Sequence, residues 1–211
     1  MLKRDWLKAR YTGIGGSDVS ALLGLNPWKT NVDVWEGKVF KMRDNISNND
    51  AIKYGNRAER PLIDLFKLDY PKYSVYSKRY EIKRNKDYDY FIGSLDGELI
   101  EKETGRKGVL EIKTTSVLSS MAREKWKDKI PNNYYIQCLW YLLVTGWDFV
   151  VLKAQLKSEF AGSEVYLQTK HYYFERSEVE EDLQLLKEKG IEFWEKHVLT
   201  KREPPLVLPS I

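Results

Sequence analysis

The sequence is poor in the residues that form disulfides and soft-metal sites. Its 211 residues include one cysteine, Cys138, and two histidines, His171 and His197. A single cysteine excludes an internal disulfide and a cysteine-rich zinc site, and two histidines argue against a histidine-based metal centre. Any metal is therefore expected to be held by oxygen ligands.

Long apolar runs are also missing. No apolar stretch approaches the ~20 residues that a membrane-spanning helix needs, and the N-terminal Met1–Asp5 lacks the apolar core of a signal peptide. These absences predict a cytoplasmic protein that makes no membrane contact.

Neither sign of charge dominates the composition. Lys and Arg number 35 against 31 Asp and Glu, a net charge of +4, which permits a nucleic-acid partner without requiring one. The length and the 42% hydrophobic content suit one sizeable core. We predict a single domain over residues 1–211, with N-terminal helices in 1–70, a core in 72–175, and a C-terminal helix and tail in 177–211. The expected fold class is α/β, a mixed central β-sheet flanked by helices.

Residues 94–113 contain the pattern that is richest in chemistry. From Val109 onward the chain alternates as a strand does, so Glu111 and Lys113 share one face while Leu110 and Ile112 share the other. The run Tyr90–Leu95 is predicted to be a neighbouring strand that ends at Asp96, and the polar residues 101–108 are predicted to form the turn. A hairpin of this kind would bring Asp96 beside Glu111.

Two carboxylates and a lysine at one place are suited to phosphate chemistry. A pair of hard oxygen ligands fits Mg²⁺, and a lysine beside them stabilises negative charge that develops on a phosphate. The alternative is an ordinary surface pair, because Glu-x-Lys also occurs at Glu36 and Glu81. Neither of those copies has an aspartate on a predicted partner strand.

The glycine-rich segment before residue 18 offers a second polar feature. Ser17 is predicted to cap a helix through Leu23, and the three glycines before it would let the backbone approach an anion that Arg10 could also contact. An ordinary capped helix after a flexible loop explains the same residues. The basic, tyrosine-rich run 73–82 is predicted to be a strand, which either follows a phosphate backbone or is a charge-protected sheet edge.

Several of these local patterns occur in an order that resembles a known family. The chain resembles the lambda-exonuclease-like, YqaJ-type viral recombinase family of the PD-(D/E)XK nuclease superfamily, whose core is restriction-endonuclease-like. The matching pieces are Trp6-x-x-x-Arg10, Ile14-Gly-Gly-Ser17-Asp18-Val19, Ile52-x-Tyr54-Gly55-x-x-x-Glu59, Ser94-Leu-Asp96-Gly97, Leu110-Glu111-Ile-Lys113, and Tyr135-x-Gln137 through Val144-Thr145-Gly146. Together they cover roughly residues 6–146.

The resemblance implies a Mg²⁺-dependent exonuclease that degrades one strand of linear duplex DNA from its 5′ end. It implies two ions per site, with Mn²⁺ as a substitute, held by Asp96, Glu111, the Ile112 carbonyl and Glu59. Lys113 would activate the attacking water and Gln137 would complete the site.

For the DNA end, the resemblance implies a 5′-phosphate held by Arg10 and Ser17 and an apolar wedge at Ile52. A further basic contact of the family has no clear counterpart here: Ser119 stands near its spacing and Arg123 is a candidate. Outside the site, the resemblance implies a homo-oligomer, a trimeric ring by analogy, a single-strand annealing protein as partner, and a bacterial or phage-infected cell.

Two other functions remain open from the sequence. One is a structure-specific or site-specific endonuclease of the same superfamily, which would cut a closed circular duplex. The other is a DNA-binding module without catalysis, against which the joint presence of Asp96, Glu111 and Lys113 argues.

Overall fold

The computed structural model describes residues 1–42, 50–117, 124–127, 129–159 and 164–209. Its helices are α1 Lys3–Ala9, α2 Gly16–Leu22, α3 Asn31–Val39, α4 Asp50–Asp69, α5 Asn132–Thr145 and α6 Glu180–Phe193, with short 3-10 turns at Arg10–Thr12 and Arg176–Glu178 and a π-helical turn at Trp194–Val198. Its strands are β1 Tyr73–Tyr76, β2 Lys83–Arg84, β3 Ile92–Gly93, β4 Gly97–Glu101, β5 Lys107–Ser116, β6 Phe149–Glu159 and β7 Val165–Glu175. Within these ranges no helix is both long and apolar enough to cross a membrane.

The central sheet has five strands in the order β1-β4-β5-β6-β7. The β5–β6 pair is parallel and the other pairs are antiparallel, so the sheet is mixed. The parallel pair requires a crossover, and α5 lies within the segment that connects its two strands. The predicted α/β fold with a mixed, helix-flanked sheet is confirmed.

Apolar side chains cover both faces of the sheet. On one face, Val109 of β5 and Leu152 of β6 join the larger core with α2, α5 and α6. On the other face, Leu110 and Ile112 of β5 pack in a second cluster with Phe66 of α4. Strand β5 is therefore buried on both sides over most of its length, and a charged residue on it is enclosed by protein.

Three sequence-based predictions about strands and caps are wrong. The strand predicted for residues 73–82 ends at Tyr76, which pairs with Glu98, because the antiparallel partner β4 begins only one residue earlier, at Gly97. The Tyr90–Leu95 strand is reduced to β3, which pairs with β2 and not with β5. The partner of β5 is instead β4, which begins directly after Asp96.

The predicted cap at Ser17 is wrong, because α2 begins at Gly16 and the N-cap residue is Gly15. The backbone N–H of Gly15 donates to the carboxylate of Asp18 at 3.1 Å, so a residue inside the helix provides the acceptor for the N–H of the N-cap residue. The Ser17 side chain is left to make a different contact, with Arg10.

Candidate active site

Asp96 is held beside Glu111 by the end of a β-ladder. The last β4–β5 pair is Gly97 with Leu110, so the next available N–H of β5, that of Ile112, has no partner in β4. The Asp96 carboxylate accepts this N–H at 2.8 Å. Asp96 thus lies beside the strand of Glu111, as predicted. The strand that pairs with β5 follows Asp96, however, and does not precede it.

Glu111 is enclosed and anchored through one oxygen only. The residue is 2% exposed. Its Oε1 accepts hydrogen bonds from Nζ of Lys113 at 2.6 Å and from Nε2 of Gln137 at 2.8 Å. Its Oε2 is buried and has no hydrogen-bond partner. A buried oxygen without a donor is costly, so this atom is available to a positively charged ligand.

The charges at this point are strongly coupled. Burial, and then the adjacent charge of Glu111, raise the pKa of Asp96 to about 8. Burial also raises the pKa of Glu111, although Lys113 opposes it. Burial alone would lower the pKa of Lys113, but Glu111 and Asp96 outweigh it, so its pKa lies above the usual range and the ammonium group stays charged.

Glu59 reaches the same cleft from the middle of α4 but does not complete a metal-binding group. Burial, and then the charge of Asp96, raise the pKa of Glu59, which indicates that the two carboxylates are near one another. Even so, the described residues contain no set of three or more Asp, Glu, His or Cys side chains that could hold a metal ion. The structure brings Asp96 and Glu111 together as a pair, with Glu59 at their periphery.

The two residues predicted to hold a terminal phosphate, Arg10 and Ser17, contact each other. Nη2 of Arg10 donates to Oγ of Ser17 at 3.0 Å, and the guanidinium lies 5.0 Å from the ring centroid of Trp6. The indole of Trp6 donates in turn to Oγ of Ser94, two residues before Asp96. Arg10 and Ser17 therefore lie on the same cleft as the carboxylates.

Close approach of α2 to α5 joins the two halves of the site. A Cβ at Gly16 would lie 2.7 Å from a ring carbon of Tyr141 and 3.0 Å from Cγ of Gln137. Real Cβ contacts are not this short, so only glycine allows this packing. Gly16 is thus the position at which the Arg10–Ser17 segment contacts the helix that supports Glu111.

These groups line one cleft with a volume of about 690 Å³. Its lining includes all the predicted side chains of the site, and Ile52, half-buried on α4, lies at its wall. Ser119 and Arg123, the two residues considered for a further phosphate contact, lie outside the described residues.

Sequence reasoning missed two residues of this cleft, and a third residue that is buried and does not line it. Tyr141 accepts a hydrogen bond of 2.8 Å from Gln137, one helical turn away, and this i,i+4 spacing on α5 was the available signal. Arg79 lies in the loop after β1 and packs on Tyr80, and no sequence pattern separated it from its basic neighbours. Asp18 is 2% exposed, and no local pattern indicated its burial.

Two solved structures with a similar fold are exonucleases. The alkaline exonuclease LHK-Exo from Laribacter hongkongensis superposes with a TM-score of 0.58 at 16% identity, covering 94% of this chain and 99% of that one. A phage-related exonuclease from Haemophilus somnus 129PT also gives a TM-score of 0.58, at 13% identity, covering 90% and 96%. At these identities the likeness establishes the fold.

Sequence comparison agrees with the resemblance drawn from the motifs. Uncharacterized protein YqaJ of Bacillus subtilis (strain 168) is 31% identical over 210 residues, which is 98% of this chain and 60% of that protein. The chain thus spans about three fifths of the length of that relative. The sequence profile of the YqaJ-like viral recombinase domain matches residues 5–148, and the chain belongs to this family.

Proposed function

We propose that the chain is a Mg²⁺-dependent nuclease that degrades one strand of linear duplex DNA from its 5′ end. One observation carries the proposal: a single cleft holds the Asp96–Glu111–Lys113 group and the Arg10–Ser17 pair. The first group is suited to hydrolysis of a phosphodiester, and the pair is suited to a terminal phosphate. Membership of the viral recombinase family and the exonuclease-like fold support the same assignment.

The carboxylates fit a divalent cation. The charge of Glu111 raises the cost of ionising the adjacent, buried Asp96, and Oε2 of Glu111 has no hydrogen-bond donor, so a cation would relieve both conditions. Mg²⁺ needs only one or two protein carboxylates when substrate phosphates and water supply the remaining ligands. Asp96 and Glu111 would hold it, with the Ile112 carbonyl as a further ligand, Glu59 serving a second ion or its water, and Mn²⁺ able to replace Mg²⁺. When bound, such a cation neutralises the phosphate and lowers the pKa of water.

The remaining side chains orient this group. The Lys113 ammonium stays charged and the Lys113 side chain is 19% exposed, so it can contact both Glu111 and a phosphate or water in the cleft. Gln137 holds Oε1 of Glu111, which leaves Oε2 for the cation. Lys113 would thereby stabilise the negative charge that develops on the phosphate and position the attacking water.

The DNA end would be held at the other side of the cleft. The Arg10 guanidinium and the exposed Ser17 hydroxyl can both donate to a terminal 5′-phosphate, and charge-assisted contacts of this kind are strong. Ile52, on the wall formed by α4, would part the last base pairs. This arrangement favours an enzyme that starts at ends.

The product and the assembly are part of the same proposal. Digestion from the 5′ end leaves a 3′ single-stranded tail, which is the substrate of a single-strand annealing protein. A homo-oligomer, a trimeric ring by analogy with the family, would keep the enzyme on the duplex between cleavage steps. Light scattering of the purified protein measures the subunit count.

An end-labelled duplex tests the function. Linear DNA labelled at one 5′ end or one 3′ end is incubated with and without Mg²⁺, beside a covalently closed circle. We expect early loss of the 5′ label only, no digestion without the cation, and an intact circle. Rapid cutting of the circle would favour the endonuclease, and early loss of the 3′ label would contradict the proposed direction.

A further inference from the structure

A buried carboxylate lies directly behind the Arg10–Ser17 pair. The side chain of Asp18 is 3% exposed. Its carboxylate accepts hydrogen bonds from Nζ of Lys38 at 2.6 Å and from Nζ of Lys29 at 3.3 Å. Its second role is at the helix start, where it accepts the N–H of Gly15. Asp18 therefore fixes the first turn of α2, the turn that presents the adjacent Ser17.

Lys38 connects this carboxylate to the other member of the pair. Its side chain is 6% exposed, and its Nζ donates to the backbone carbonyl of Arg10 at 2.8 Å as well as to Asp18. One ammonium group on α3 thus binds the segment that carries Arg10 and the helix that carries Ser17. These segments are otherwise joined across Tyr11–Gly16, which includes three glycines.

We propose that Asp18 and Lys38 are positioning residues for the terminal-phosphate site, because their buried ion pair fixes the spacing between Arg10 and Ser17. The inference rests on the proposed function and extends it to two residues that do not line the cleft. A side chain pair holds a ligand well only when its backbone is fixed to a fraction of an ångström. The ion pair supplies that restraint from beneath.

The charges of the cluster act in the same direction. Arg10, Lys29 and Lys38 lie near Asp18 and all act on its pKa, so three cations surround one anion. The excess of positive charge persists while Lys38 and Asp18 neutralise each other, and it favours an incoming phosphate. Asp18 thus neutralises the buried Lys38, and the net charge of the cluster stays positive.

The test uses the double variant Asp18→Asn/Lys38→Met. Removing both members of a buried pair together avoids leaving one charge unpaired, and the new asparagine can still accept the Gly15 N–H. Lys29→Met is the matched control, because it removes a cation from the same carboxylate without removing the contact with the Arg10 carbonyl. Lys38→Arg preserves the charge and the donors.

The measurement is binding of a labelled duplex by fluorescence anisotropy in EDTA, where no cleavage occurs, with a 5′-phosphate or a 5′-hydroxyl at the end. The preference is the ratio of the affinities for the 5′-phosphate and the 5′-hydroxyl duplex. We expect this ratio to fall roughly tenfold in the double variant, while its affinity for the hydroxyl duplex stays that of the wild type. Lys29→Met and Lys38→Arg should keep most of the preference. Thermal melting monitored by circular dichroism establishes that each variant is folded.

Three results would overturn the inference, and they are distinguishable. A folded double variant that keeps the wild-type preference would exclude the positioning role of Asp18 and Lys38 and would leave the proposed function intact. A loss in Lys38→Arg equal to that in the double variant would mean that lysine packing, and not the tie to Arg10, sets the preference. A wild-type protein without any preference would remove the terminal-phosphate site from the proposed function as well.

Discussion

The side-chain amide of Gln137 donates to Oε1 of Glu111 at 2.8 Å and also lies 2.8 Å from the hydroxyl of Tyr141. Glu111 is thereby held by a neutral donor on α5 in addition to Lys113. The orientation of a buried metal-binding carboxylate depends on such a partner.

Gln137→Ala should therefore reduce the rate of DNA hydrolysis by about 10–100-fold, the usual cost of losing a group that orients a ligand. Tyr141→Phe is the matched comparison, since it removes a contact of Gln137 and leaves the bond to Glu111. Its effect on kcat should be much smaller. Equal losses in the two variants would mean that the bond from Gln137 to Glu111 is not by itself what sustains the rate, and would contradict the prediction.

Asp96→Asn and Lys113→Ala should each reduce hydrolysis by at least about a thousandfold, because the first removes a proposed ligand of the cation and the second removes the positive charge that stabilises the phosphate. Binding of duplex DNA should survive in both variants, since Arg10 and Ser17 remain. Asp87→Asn, an exposed aspartate away from the cleft, should behave as wild type. Single-turnover rates and filter binding measure the two quantities; wild-type rates in Asp96→Asn would refute the assignment.

Gly16→Ala should destabilise the protein by about 1–3 kcal/mol, because the new Cβ would overlap the Tyr141 ring unless α2 moves away from α5. That displacement should also slow digestion, since α2 carries Ser17. Gly37 is the control: it is also helical, and a Cβ there meets its nearest neighbour at an ordinary 3.7 Å. Urea unfolding should show Gly37→Ala to be neutral or slightly more stable.

The ion pair of Asp18 predicts how stability depends on pH. Burial by itself raises the pKa of Asp18, but Lys38, Lys29 and Arg10 outweigh it and hold the pKa well below its usual range. The unfolded chain, with an Asp pKa of about 3.9, therefore binds a proton that the folded chain does not. Stabilisation by Asp18 is complete above that value and is lost as the pH falls below about 4.

Asp18→Asn leaves Lys38 buried without its closest anion, which should cost about 3–5 kcal/mol at pH 7. The difference from wild type should shrink as the pH is lowered toward 3. Asp64→Asn provides the comparison, because Asp64 also pairs with two basic side chains but is exposed. Urea unfolding at several pH values should show little change for that variant, and a pH-independent cost for Asp18→Asn would contradict the assignment.

Much of the site could be predicted from the sequence because its motifs are local. Glu111 and Lys113 alternate within one strand, so the period was sufficient to place them on one face. Asp96 was predicted beside Glu111 from a strand at Tyr90–Leu95, whereas the strand that pairs with β5 begins after Asp96. The burial of Glu111 on both sides of β5 depends on α4 and α5, which are distant in sequence. A pattern within the strand cannot distinguish that enclosure from a solvated face.

The errors have a common physical origin in pairing partners. The residues 77–82 have strand-like composition, but β4 offers no backbone groups opposite them, and Tyr80 adopts a left-handed φ of 59°. At the start of α2, the helix begins one residue before Ser17, the Asp18 carboxylate accepts the N–H of Gly15, and the Ser17 hydroxyl accepts from Arg10. A local capping pattern does not indicate the contact between Ser17 and Arg10, which lies in another element.

The proposed activity requires a divalent cation between Asp96 and Glu111. The most direct measurement is anomalous diffraction from crystals soaked in Mn²⁺. We expect a strong peak in contact with a carboxylate oxygen of Asp96 and with Oε2 of Glu111, absent from Asp96→Asn crystals treated alike. A saturating soak without a peak there, or with the two carboxylates turned apart, would contradict the account.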